Sequence, residues 1–161
     1  MYGRDPYTFV NGSHIPSVVL GVITTILKSW DQASTDYEYI TAFHQPHGTL
    51  HVAPEPAIGE AAMRKLHDDI IHPINGPVVA LQHYLDRVFM MPGSPEGKTE
   101  TVFTGKLTSV LKSGEEVTTD FATWIVASPN SAGELKVELL RVFSDTSELM
   151  KKIGDMMAVK S

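Results

Sequence analysis

The 161 residues contain no cysteine. That excludes disulfides, thiolate zinc sites and a cysteine nucleophile, and leaves the compartment open. Positive charge is scarce. Thirteen Lys and Arg against 19 Asp and Glu give a formal net charge of −6 with His neutral, and no basic run interrupts the chain. Nucleic acid is therefore not an expected partner. No apolar run reaches membrane-spanning length, because Lys28 and Trp30-Asp31 close the longest one, so no membrane contact is expected. The opening MYGRDPYTFVNGSHIP lacks a cationic start followed by an apolar core. No signal peptide is expected, and the expected location is cytoplasmic. Asn11-Gly12-Ser13 fits a glycosylation sequon, which without a leader reads as chance. There is no phosphate loop, no G-x-G-x-x-G, no G-x-S-x-G and no internal repeat. Nothing implies a nucleotide, flavin or haem, and no cofactor is expected.

What is present reads as one globular domain, long enough to bury well over half of its unfolded surface. Residues 1–15 read as a loose arm and residues 16–161 as the domain. From Ser17, a candidate N-cap after Pro16, Val19, Ile23, Ile26 and Trp30 recur at helical spacing. A second short helix is predicted through TDYEYITAF, capped by Ser34 or Thr35, with Tyr37, Ile40 and Phe43 on one side. Pro46 and Gly48 break the chain, and TLHVAP follows as a short strand ended by Pro54 and Pro56. A third helix is predicted from about Ala57 to His72, with Ala62, Leu66, Asp69 and Ile70 on one side and Pro73 and Gly76 as terminators. Residues 78–91, 100–111, 116–127 and 134–144 are rich in Val, Thr, Phe and Leu and separated by turn clusters. Ser113-Gly114 is a hairpin signal. A short helix capped by Asp145 or Thr146 closes the chain. Helices followed by a strand meander imply an α+β fold, with helices on one face of a curved antiparallel sheet.

Three of the seven histidines, His44, His47 and His51, stand in AFHQPHGTLHVAP. Their spacing would align ligands on a helix, but Pro46 and Gly48 argue against one there. His44 and His47 are therefore expected to be solvated turn residues, and no metal site is expected. His51 alternates with Leu50 and Val52 on its strand and is a candidate pocket residue.

Three stretches carry a resemblance to a known family: LKSWDQASTDYEYITAFHQPHGTLHVAP, PAIGEAAMRKL and ELLRVFSDTSELMKKIG. With the order of elements, they resemble the nuclear-transport-factor-2-like superfamily, in particular its SnoaL-like polyketide cyclase and scytalone dehydratase branches. The resemblance implies a cone: a bent sheet wrapped around three N-terminal helices, an apolar cavity, and commonly a homodimer paired through the sheet. It does not fix the activity, since the fold hosts isomerases, cyclases, dehydratases, hydrolases and non-catalytic domains.

Within that frame, ALQHYLDRV resembles the Gln-His-aromatic segment of scytalone dehydratase, where the histidine works in the cavity. His83 is thus the candidate proton shuttle, a role suited to imidazole. On the strand EVTTDFATWIVA, Asp120 and Trp124 alternate against Phe121, and Asp120 is the candidate charged partner. On the last strand, Val137, Leu139, Arg141 and Phe143 share a face, making Arg141 a candidate electrophilic anchor. Trp30, Tyr39, His51, Phe121 and Trp124 are expected to shape a substrate pocket. The expected activity is cofactor-independent isomerisation, cyclisation or dehydration of a hydrophobic small molecule, such as a polyketide or terpenoid intermediate. The alternative is a non-catalytic ligand-binding or dimerisation module.

Overall fold

A computed structural model describes residues 5–32, 37–72, 74 and 76–159. Helix α1 (Ser17–Trp30) begins with Ser17 as its first helical residue and Pro16 as cap, and buries Val19, Ile23, Ile26, Leu27 and Trp30. Each fully buried aliphatic side chain of this kind contributes about 1.5–3 kcal/mol. The predicted second helix is a 3₁₀ segment, Glu38–Ala42. It stays short because Phe43 turns extended and bridges to Val137, while the His44 amide donates to the Val137 carbonyl at 2.9 Å. The proposed caps Ser34 and Thr35, like the terminator Pro73, lie outside the described residues.

Strands β1 (Thr49–His51) and β2 (Ala57–Ile58) pair antiparallel, so the helix expected from Ala57 begins two residues later, as α2 (Gly59–Ile70). Gly59 makes the switch at φ +79. Its buried residues, Gly59, Met63 and His67, recur every four positions, and Asp69 is exposed rather than inward. Four long strands follow: β3 (Val78–Met90), β4 (Thr99–Leu111), β5 (Glu116–Pro129) and β6 (Leu135–Ser144). Helix α3 (Ser147–Ala158) ends the described chain, with Asp145 Oδ1 accepting the Ser147 amide.

All six strands form one open sheet in the order β2-β1-β6-β5-β4-β3. It is mixed rather than wholly antiparallel, because β1 runs parallel to β6. The fold is α+β, with α1, the 3₁₀ segment and α2 against the sheet face that carries Leu81, Leu85, Phe103, Phe121, Ile125, Val137 and Leu140.

Of three register shifts in the sheet, at Val78–Ala80, Leu85–Val88 and Val126–Ala127, the last two decide which candidate side chains face that core. On β3, Asp86 and Arg87 stand opposite Thr104 alone, so inward facing passes from Leu81, His83 and Leu85 to Val88. On β6, Val137 pairs with Ala127 and Leu139 with Val126, leaving Glu138 as an extra residue. That shift turns Leu140 inward and Arg141 outward.

Residues 5–15, expected to be a loose arm, are docked on β3, an edge of the sheet. Leu85 donates its amide to the Pro6 carbonyl at 2.7 Å, and the Val10 amide reaches the Asp86 carbonyl at 2.8 Å. The Asn11 side chain bonds both the amide and the carbonyl of Val88, at 3.0 and 2.8 Å. Phe9 is buried, with its ring 5.7 Å from that of Phe103. An uncovered strand edge offers unpaired amides to other chains. Here the arm satisfies those of Leu85 and Val88.

Candidate active site

His83 projects from β3 into the core because it alternates with Leu81 and Leu85 ahead of the bulge. Phe121, on β5, meets its ring edge to face at 5.3 Å, and Phe103 stands 6.1 Å beyond. Phe121 has this room because Gly105 lies opposite it. A Cβ at Gly105 would stand 2.8 Å from the Phe121 ring and 2.4 Å from the Tyr84 carbonyl oxygen.

The charged partner of His83 is Asp31, the residue that closes α1. Asp31 Oδ1 lies 2.5 Å from His83 Nδ1, and Oδ2 accepts the His83 backbone amide at 2.9 Å and the Tyr7 hydroxyl at 2.7 Å. The two side chains are 9 % and 5 % exposed. A carboxylate only accepts hydrogen bonds, so this contact puts the neutral imidazole's proton on Nδ1 and leaves Nε2 as the basic nitrogen. Such a pair can take a proton at Nε2 and stabilise the resulting imidazolium. Burial, followed by the hydrogen bond to Asp31 and its charge, raises the Tyr7 phenol well above its ordinary range.

Asp31 did not stand out from its own segment, yet a signal existed. Ile23, Leu27 and Asp31 recur every four residues, which continues the buried face of α1 to a carboxylate.

Asp120 is not near His83. It projects from the opposite face of β5, bonds Lys106 Nζ at 2.8 Å, and its side chain is 81 % exposed. It lines an open concavity of about 430 Å³ with Tyr84, Asp86, Lys106 and Phe143. Trp124 shares that outer face, donating from Nε1 to Glu100 at 3.0 Å. Arg141, turned outward by the β6 bulge, sits over the Phe143 ring at 5.0 Å and opposite Trp124. His51 stands beside Arg141 in the β1–β6 register and is half-buried. The candidates thus divide in two. Phe121 joins His83 inside, whereas Asp120, Trp124, Arg141 and His51 lie on the outer face.

Trp30 and Tyr39 are interior, packed edge to face at 5.1 Å, with the His67 ring 4.7 Å from Trp30. The Tyr39 hydroxyl donates to the Met63 carbonyl at 2.8 Å, and burial pushes its phenol upward. They pack between α1 and α2, and Trp30 immediately precedes Asp31 in the chain.

His44 belongs to a separate network. Its Nε2 lies 3.0 Å from Ser128 Oγ and 3.1 Å from the Ser128 carbonyl oxygen. Ser128 Oγ donates to Glu138 at 2.8 Å, so His44 carries its proton on Nε2. Lys98 first and then Ser128 hold the Glu138 carboxyl below its usual range. His47 is exposed. Among the described residues, no three His, Asp or Glu side chains gather as a metal set.

No protein-family model matches the sequence, and no curated protein does. Solved structures do. An NTF2-like superfamily protein from Salmonella enterica superposes with a TM-score of 0.66 at 12% identity, covering 79% of this chain and 88% of its own. The chain has the nuclear-transport-factor-2-like fold. The hexachlorocyclohexane dehydrochlorinase LinA-type3 of Novosphingobium barchaimii shares that fold, with a TM-score of 0.68 at 10% identity over 80% of this chain and 85% of its own. So does the CaMKII hub of S. rosetta, with a TM-score of 0.62 at 17% identity over 81% of this chain and 95% of its own. In nuclear-transport-factor-2-like terms, the Asp31–His83 pair sits on the helix-covered side of the sheet, and the Asp120–Arg141 side is its outside. Among the described residues, no helix is long and apolar enough to cross a membrane.

Proposed function

We propose that this chain is a cofactor-independent cytoplasmic enzyme that moves a proton on a hydrophobic small molecule, in isomerisation, cyclisation or elimination of water. His83 is the acid–base group and Asp31 orients it. Phe121, Trp30 and Tyr39 are the apolar walls against which a polyketide or terpenoid intermediate would lie. The observation that carries the reading is the 2.5 Å contact between Asp31 Oδ1 and His83 Nδ1 inside an apolar shell. A carboxylate withdrawn from water this far is costly unless it is fully hydrogen-bonded or used. In the proposed step, His83 Nε2 takes a proton from an acidic carbon of the substrate. It then returns that proton to another carbon, or to a departing hydroxyl. The dehydrochlorinase of the same fold supports elimination chemistry as one member of this set.

The test is deuterium incorporation from D2O into enolisable hydrophobic ketones, followed by mass spectrometry. The parent protein should catalyse exchange, and His83→Ala should lose it while staying folded. Undiminished exchange in His83→Ala would sink the reading.

A second reading has its own observation. Phe143 is 49 % exposed on the outer sheet face beside Arg141, and the S. rosetta hub shares the fold. An assembly role, with a homodimer formed through this face, suits that patch. It is compatible with catalysis on the opposite side.

A further inference from the structure

We propose that Tyr7 is a positioning residue for the Asp31–His83 pair: its hydroxyl holds Asp31 Oδ2, so that Oδ1 faces the imidazole Nδ1–H. The proposal rests on the acid–base reading for its catalytic meaning, but not for its test. A carboxylate can rotate about its last bond, and the tautomer of His83 depends on which way it points. Oδ2 receives the Tyr7 hydroxyl at 2.7 Å and the His83 amide at 2.9 Å, which leaves Oδ1 to the ring. The direction of the phenol proton is itself determined. Gln82 Nε2 lies 2.9 Å from the His83 carbonyl oxygen and 3.2 Å from the Tyr7 oxygen, nearer than to Asp31 Oδ2 at 3.5 Å, so its two hydrogens go to the first two acceptors. With Gln82 donating to it, the phenol oxygen directs its own proton to Asp31.

The arm sets the phenol in place. The Pro6 carbonyl is fixed by the Leu85 amide at 2.7 Å and the Val10 amide by the Asp86 carbonyl at 2.8 Å, one anchor on either side of Tyr7. Lys28 Nζ stands 5.2 Å from the centre of the Tyr7 ring. The Tyr7–Asp31 contact joins residues 24 apart in sequence. Its geometric effect falls on the carboxylate that orients His83.

The test uses the full chain, labelled with 15N and 13C, and no substrate. In the parent, the two ring nitrogens of His83 should report a proton on Nδ1. Tyr7→Phe keeps the ring and deletes the hydroxyl. It should convert that state to a mixture of tautomers. It should also speed solvent exchange of the Nδ1 proton by about ten- to a hundredfold, the loss of one hydrogen bond to a charged group. Parental tautomer and exchange in a folded Tyr7→Phe protein would overturn the proposal. Should that variant not fold, the contact is read from its other end. The Tyr7 phenol, followed by its ring 13Cζ, should ionise above its ordinary value in the parent and fall part-way back in Asp31→Asn. An unchanged Tyr7 ionisation would overturn the proposal equally. Proton-exchange activity that survives His83→Ala would defeat the catalytic reading and leave the positioning of His83 by Tyr7 intact.

Discussion

Asp31 stands where the helix that bears it least favours a carboxylate. The carboxyl end of a helix carries partial negative charge, and an acidic group there costs a few tenths of a kcal/mol to about 1 kcal/mol. Three close donors offset that cost, the Tyr7 hydroxyl, the His83 amide and the His83 ring, with Gln82 Nε2 farther off at 3.5 Å. The carboxylate is therefore explained by what it holds and not by its helix. Replacing it should then act on chemistry more than on the helix. Asp31→Asn offers an amide that can donate to the ring, which favours the wrong tautomer. Turnover should fall by about a hundred- to ten-thousandfold in Asp31→Asn as in His83→Ala. Steady-state rates with melting curves would separate this loss from unfolding. Asp120→Asn and Arg141→Ala should leave turnover near the parental rate, because both side chains lie on the other side of the sheet. A large loss in either would move the site to the outer face.

At the scale of elements, Gly105 on β4 leaves no room for a side chain between Tyr84 of β3 and Phe121 of β5. Gly105→Ala should push Phe121 off His83 and destabilise the protein by about 1–3 kcal/mol, the usual cost of overpacking. A lowered urea midpoint at unchanged m-value is the expected readout. The docked arm makes a second prediction, in pH. The Tyr7 phenol ionises at higher pH in the folded chain than in the unfolded one, chiefly through burial. Its contribution to stability is therefore full below the ordinary value of 10.0 and declines as pH rises toward the folded value. Urea unfolding at alkaline pH should show a steeper loss for the parent than for Tyr7→Phe. Much of this architecture was legible in the chain. The periodicities of α1 and of the four long strands, with their turn clusters, fixed element order and class. The sequence also placed His83 inside, because an alternating strand ahead of a bulge keeps its phase. What it could not give was the phase after a bulge, since one extra residue such as Glu138 leaves the apolar pattern looking continuous. Read without that shift, Arg141 shares a face with Val137 and Leu139. Nor could it give contacts across long separations, such as those from Tyr7 and Asp31 to β3, which arise only when the sheet edge is assembled.

At the scale of the molecule, helices cover one face of the sheet, and the other leaves large apolar side chains exposed. Phe143 and Phe89 are 49 % and 46 % exposed. The proposed homodimer should appear by light scattering at micromolar concentration, and Phe143→Glu should shift it to monomer without harming proton exchange. A monomeric parent would count against the assembly. The edge of the sheet carries one last implication. The His83 amide would otherwise be an open position where another chain's strand could add, and its partner is the carboxylate that orients the ring. In the proposed mechanism one residue thus serves both as site chemistry and as a stopper against sheet growth. Substitutions at position 31 would be selected on two counts at once. A chain that abandoned catalysis would still be held to a short acceptor there by its solubility, so an inactive descendant should keep Asp or Asn at this position long after His83 had drifted.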